Sequence, residues 1–228
     1  MRVSLVMPAL NEEQCIGQVL DELPRERLHE VIVVDNGSTD RTAEIGRAKG
    51  ARVVHEPQRG YGAACLAGIA AGDAPEVVAF MDADHSDLPQ ELPLILEPIE
   101  QGRADLVVGS RMAGRREKGA LPPHSLLGNW LASGLLRLLY GVKFTDLGPF
   151  RAITAEALGR LRMSDRGYGW TVEMQGKAAK LGLRCVEVPV SYRKRIGVSK
   201  ITGSLTASAK AGAVILWTTF RLAFSRLD

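Results

Sequence analysis

Val77-Val78-Ala79-Phe80-Met81-Asp82-Ala83-Asp84 is the stretch on which the reading of the fold turns. Five consecutive apolar residues are too few for a buried helix and suit a strand covered on both faces. Two carboxylates follow at once, where that strand must end. The same pattern recurs: apolar runs at 3–7, 31–34, 52–55 and 106–108 read as strands, and the segments 12–23, 39–49, 63–71 and 89–101 have helical spacing. This alternation predicts an α/β fold, a doubly wound, mostly parallel sheet with helices on both faces. Such sheets bind ligands at the carboxyl ends of their strands. The polar segments 8–12, 35–40, 59–62 and 82–87 each stand just after a strand, as that rule requires. Asn11 is placed to cap the first helix, with Glu12 and Glu13 at its positive end.

The chain of 228 residues, 46% of them hydrophobic, is long enough for one substantial core, so a single domain over 1–228 is expected. Residues 1–110 and 111–228 are expected as its two halves, the texture changing after Arg111. A net charge of +3 is mild and gives no case for a nucleic-acid partner, but cations cluster at 111–118 and 193–200. Cys15, Cys65 and Cys185 lie far apart without metal-ligand spacing, which points to a reducing compartment. The first residues read as a strand and not as a secretory leader. No apolar run approaches the roughly 20 residues of a membrane span. Two stretches, 123–140 and 204–225, instead carry surplus apolar surface as C-terminal amphipathic helices, which either pack in the core or lie on a membrane.

Asp82 and Asp84 at a strand end can hold Mg²⁺ or Mn²⁺, which favour oxygen ligands and can bind a diphosphate at the same time. The plainer alternative is that both carboxylates cap a turn. In Val33-Val34-Asp35-Asn36-Gly37-Ser38-Thr39-Asp40, Asp35 can accept from a base N–H, Gly37 allows a close backbone turn and Asp40 can cap the next helix. Gly60-Tyr61-Gly62 fails the dinucleotide fingerprint because Cys65 stands at its last position. Tyr61 either stacks on a nucleotide or packs.

Pro8-Ala9-Leu10-Asn11-Glu12, the 33–40 run, Asp82-Ala83-Asp84 and Gly109-Ser110-Arg111 occur in an order that resembles glycosyltransferase family 2. More narrowly, the chain is similar to the dolichyl-phosphate mannose synthase and polyprenyl-phosphate glucosyltransferase branch. The resemblance implies a GT-A fold, with Pro8, Ala9, Asn11, Glu12, Asp35, Gly37 and Ala83 at the nucleotide-sugar pocket and Asp82 and Asp84 serving the diphosphate and its metal. It further implies that Arg111, Arg151, Arg193 and Lys200 contact phosphates, a role to which guanidinium forks and a lysine point charge are suited. Ser86 stands where the pattern places a glutamine ligand, leaving Asp87 as a substitute. Gly148-Pro149-Phe150-Arg151 replaces the usual Ser-Gly-Phe turn. His85 is either a ligand or a helix-start surface histidine.

Glu173 is the remaining carboxylate of interest. It would be the general base if the acceptor were a hydroxyl, and would orient a basic residue such as Arg151 if the acceptor were a phosphate. The resulting expectation is an inverting, metal-dependent hexosyltransferase, peripheral at the cytoplasmic face of a membrane, that moves sugar from a nucleotide diphosphate to a polyprenyl phosphate. A same-fold transferase acting on a hydroxyl and a noncatalytic sugar-nucleotide-binding protein are the rivals.

Overall fold

The computed structural model describes residues 1–197 and 205–225 of the chain. In chain order the elements are β1 (Val3–Ala9), α1 (Ile16–Asp21), β2 (Glu30–Asp35), α2 (Thr42–Ala48), β3 (Arg52–His55), α3 (Tyr61–Ala71), β4 (Val77–Phe80), α4 (Leu92–Glu100) and β5 (Leu106–Ser110). They continue with α5 (Pro123–Tyr140), β6 (Arg151–Thr154), α6 (Ala155–Leu161), α7 (Trp170–Lys180), β7 (Cys185–Pro189) and α8 (Leu205–Phe224).

The strands form one seven-stranded sheet in the order β3-β2-β1-β4-β6-β5-β7. All neighbours are parallel except β6, which runs antiparallel to β4 and β5. Strands from both halves of the chain thus share one sheet. Side-chain alternation explains the two cores. Val3, Leu5 and Met7 of β1, Val31 and Val33 of β2, and Val77 and Ala79 of β4 face α1 and α4, where Ile16, Leu20, Leu92, Ile95 and Leu96 meet them. Val6, Ile32, Val34, Val78 and Phe80 face the opposite way and pack with Ala64, Cys65, Trp170 and Met174. Phe80 and Trp170 meet edge to face at 5.8 Å.

Two local expectations are corrected. Residues 148–151 are not only a turn: Arg151 opens β6, in register with Phe80. The first helix begins at Ile16, and Asn11, with φ at +53°, is not its cap. Its Oδ1 instead accepts from the Thr39 backbone N–H at 2.8 Å. Helices α5 and α8 pack against each other, with α8 also on α7. Among the described residues no helix is long and apolar enough to cross a membrane.

Candidate active site

Between β1 and β4 the sequence order of the strands reverses, which is where an open α/β sheet leaves a crevice beyond its strand ends. A cavity of about 640 Å³ opens there, lined on the sheet side by Pro8, Ala9, Glu12, Asp82, Ala83 and Asp84. The loops after β1 and β2 are stitched together. The Asn11 N–H donates to Ser38 Oγ at 3.0 Å and the Glu12 N–H to Thr42 Oγ1 at 2.8 Å.

Asp35 closes β2 and is buried, with Oδ1 accepting from the Ser38 N–H at 2.9 Å and Oδ2 3.2 Å from His55 Nδ1. Burial opposes its ionisation, yet the hydrogen bonds from Ser38 and His55 outweigh burial and hold the carboxyl below its usual range. Asp35 is not itself in the cavity wall; Asn36 is. The Asn36 amide donates to the carbonyls of Glu56 and Gln58 and accepts from the Gly60 N–H, so it shapes the loop that brings Arg59, Gly60 and Tyr61 to the cavity. Gly37, at φ +82°, lets Arg59 lie across it and donate to its carbonyl at 2.8 Å.

At the end of β4, Asp84 Oδ1 accepts from the Ser86 N–H at 3.0 Å and from its hydroxyl, while Oδ2 pairs with Arg195 at 2.8 Å. Ser86, fully buried, therefore orients Asp84. Asp87 is buried behind the loop, with Oδ2 accepting from the Asp82 N–H. Burial, and next the negative charge of Asp84, push the Asp82 carboxyl well above the ordinary carboxylate range. Among the described residues no three His, Cys, Asp or Glu side chains form a metal cluster. The donor set nonetheless fits a divalent ion, since Asp82 and Asp84 both line the cavity at the end of β4 and carboxylate oxygens suit a hard cation whose other ligands would be diphosphate oxygens.

Arg111, just past β5, is fixed by Asp146. Its backbone N–H and Nε donate to Oδ2 at 2.8 Å and its NH2 donates to Oδ1 at 2.7 Å. Its guanidinium carbon lies 5.0 Å from the centre of the Tyr192 ring. Gly109 and Gly148 permit this arrangement, because a Cβ on Gly148 would collide with the Gly109 carbonyl. Arg111, Tyr192 and Arg195 all line the cavity.

The other basic residues expected at phosphate are placed differently. Arg151 is fully buried and donates to the carbonyls of Leu147, Gly148 and Thr171; burial pushes its guanidinium down to about 10. Arg193 lies behind the Asp82–Asp87 loop, donating to the His85 and Asp87 carbonyls and pairing with Glu22 at 2.9 Å. His85 Nε2 is 3.0 Å from the other Glu22 oxygen, and neither His85 nor Arg193 lines the cavity. Lys200 lies outside the described residues. The cation of this segment that meets Asp84 and lines the cavity is Arg195 and not Arg193.

Glu173 is also corrected. It is fully buried, 2.8 Å from Lys177 Nζ, and accepts from the backbone N–H groups of Ser164 and Asp165. It neither touches Arg151 nor reaches the cavity. The loop that it organises does, through Tyr168, and that loop grips the start of α3: Arg166 and Gly167 carbonyls accept from the Ala63 and Gly62 N–H groups.

Glu22 supports the metal-side loop from behind, and its role is measurable. Burial alone would raise its carboxyl, but hydrogen bonds from His85 and Arg193, with smaller ones from Gln90 and Gln18, hold it at about 2. A depressed carboxyl adds stability that is complete above its ordinary value of 4.5 and is lost as pH falls through about 2. Glu22→Gln is therefore expected to lower stability by about 1 kcal/mol near neutral pH, after allowance for solvent screening of this partly exposed group. In urea melts the gap from wild type should close as pH falls through the same window; a pH-independent gap would sink this account.

A doubly wound sheet that ends in two cavity-lining carboxylates beside a locked arginine has the architecture of the GT-A glycosyltransferase class. The model of glycosyl transferase family 2 matches residues 4–162. The chain belongs to that family. It is 40% identical over 209 residues to an uncharacterised glycosyltransferase of Mycobacterium tuberculosis, covering 90% of this chain and 92% of the relative. It is 32% identical over 226 residues to the undecaprenyl-phosphate mannosyltransferase of Micrococcus luteus, covering 92% and 91%. Among solved structures, glucosyl-3-phosphoglycerate synthase of M. tuberculosis, in complex with Mn²⁺, UDP-glucose and phosphoglyceric acid, superposes with a TM-score of 0.80 at 26% identity, covering 97% of this chain and 79% of the synthase.

Proposed function

We propose that the chain is an inverting hexosyltransferase that moves a sugar from a UDP- or GDP-sugar to a polyprenyl phosphate, working peripherally at the cytoplasmic face of a membrane. The observation that carries this reading is the composition of one cavity: Asp82, Asp84, Arg111 and Arg195 stand at its sheet end, and apolar helix surface forms its far wall. The kinship with an undecaprenyl-phosphate mannosyltransferase supports the lipid acceptor, and the fold shared with a Mn²⁺- and UDP-glucose-bound synthase supports the donor.

Mg²⁺ or Mn²⁺ held by Asp82 and Asp84 would act as a Lewis acid that neutralises the departing nucleoside diphosphate. Glu12, Asn36 and Tyr61 border the donor, with Asp35 and Gly37 shaping the loop beneath it. Arg111 and Arg195 offset the repulsion between two phosphorylated substrates. The bond from the anomeric carbon to the acceptor phosphate oxygen forms as the bond to the diphosphate breaks on the opposite face. An acceptor phosphate is already ionised, so no carboxylate need take a proton from it. Exposed Trp130 and Trp217, on α5 and α8, suit the interface of a bilayer.

The test is transfer of labelled sugar from UDP-glucose or GDP-mannose, with and without Mn²⁺, to undecaprenyl phosphate or to phosphoglycerate. The expected result is metal-dependent label in the lipid phase. Label confined to phosphoglycerate would reject the lipid acceptor, and nucleotide-sugar binding without transfer to either would favour a binding protein.

A further inference from the structure

The cavity does not close above the charged residues. It continues along a groove between the first half of α5 and α8, walled by Leu121, Pro122 and Gly128 on one side and Gly212, Ile215 and Leu216 on the other. These six residues offer a hydroxylated ligand no side-chain hydrogen bond. Buried hydroxyls without partners cost free energy, whereas a hydrocarbon gains with each carbon removed from water. The polar side chains of the α5 wall are His124, whose Nε2 is buried without a hydrogen-bond partner, Ser125, and Asn129, whose amide is already engaged by the Thr145 carbonyl and the Leu147 N–H. The same two helices carry outward-facing apolar side chains, with Leu127, Trp130, Trp217 and Phe220 between 45% and 70% exposed. A groove that begins at phosphate-binding arginines and runs between helices with such surfaces matches a molecule with an anionic head and an apolar tail.

We infer that the α5–α8 groove seats the isoprenoid tail of the acceptor, so that the helices measure the lipid while the strand ends handle its phosphate. This rests on the lipid-phosphate reading above and adds to it where the tail lies. Glycine is what leaves the groove open. A Cβ on Gly128 or on Gly212 would meet no described atom within 4 Å. A methylene wholly removed from water tightens binding about fourfold, so a five-carbon isoprene unit would gain up to about a thousandfold if fully buried and, seated in an open groove, should still gain at least about tenfold.

Isopentenyl, geranyl, farnesyl and geranylgeranyl phosphate form the test series, with transfer measured against concentration for wild type, Gly128→Trp and Gly212→Trp. Gly134→Trp serves as control: it lies on α5, also meets nothing within 4 Å and is outside the cavity lining. In wild type and the control, KM should fall steeply with chain length. Both groove variants should flatten that dependence, raising KM for the longer acceptors at least tenfold. Their thermal shift with UDP-glucose or GDP-mannose and Mn²⁺ should persist, which shows that they are folded and bind donor. If wild type uses the long acceptors best and both groove variants keep the same chain-length profile, the tail lies elsewhere and this inference fails alone. If wild type transfers to no prenyl phosphate of any length, the lipid-acceptor reading fails and takes the groove with it.

Discussion

Replacing Asp84 with asparagine should reduce turnover by roughly 10²–10³-fold, the scale associated with losing one element that stabilises developing charge on a leaving group. The substitution keeps the shape of the side chain and removes the charge that can hold a cation. It should cost some stability as well, because the Asp84 side chain is 7% exposed and its pair with Arg195 is largely buried; Arg195, 29% exposed, can turn partly to solvent, which holds the loss to about 1–3 kcal/mol. Donor binding should change in kind as well as degree: thermal shifts with UDP- or GDP-sugars, enhanced by Mn²⁺ in wild type, should become insensitive to the metal. Wild-type turnover in Asp84→Asn would remove the basis for a metal-assisted departure.

The parts of the molecule that were legible in the sequence are those whose signal is local. Strands β1, β2, β4 and β5 are apolar runs that no exposed segment could afford, and the acidic pair follows β4 directly. β6 escaped because it is four residues long and opens with a charge, Arg151. That charge is buried by tertiary structure alone, through three backbone carbonyls that come from 147, 148 and 171. The start of α1 was misplaced for a similar reason. Asn11, Glu12 and Glu13 have the composition of a helix start, but Ser38, Thr39, Asp40 and Thr42 engage them across the cleft and delay the helix to Ile16. Within the cluster Arg193-Lys194-Arg195, composition identified a cationic segment, while the choice of the residue that meets Asp84 was made by how the chain leaves β7 beside the Asp82–Asp87 loop.

Glu173 separates two chemistries, and its replacement carries the largest expected effect on stability. In Glu173→Ala the Lys177 ammonium, 8% exposed, loses its carboxylate partner, and the Ser164 and Asp165 N–H groups lose their acceptor. Breaking a buried pair from one side typically costs about 3–5 kcal/mol, because the remaining charge is left without compensation. Urea unfolding should show that loss. The damage should also reach the donor. The 164–167 loop grips Gly62 and Ala63 beside Tyr61, and a Cβ on Gly62 would collide with the Asp165 carbonyl. Glu173→Ala and Gly62→Ala should accordingly both raise the KM for the nucleotide sugar more than they lower kcat. A general base would behave in the opposite manner: Glu173→Gln would abolish turnover while leaving stability and donor KM near wild type. That outcome would restore Glu173 to the chemistry and make a hydroxyl the better candidate for the acceptor, because only an acceptor that must lose a proton needs a base.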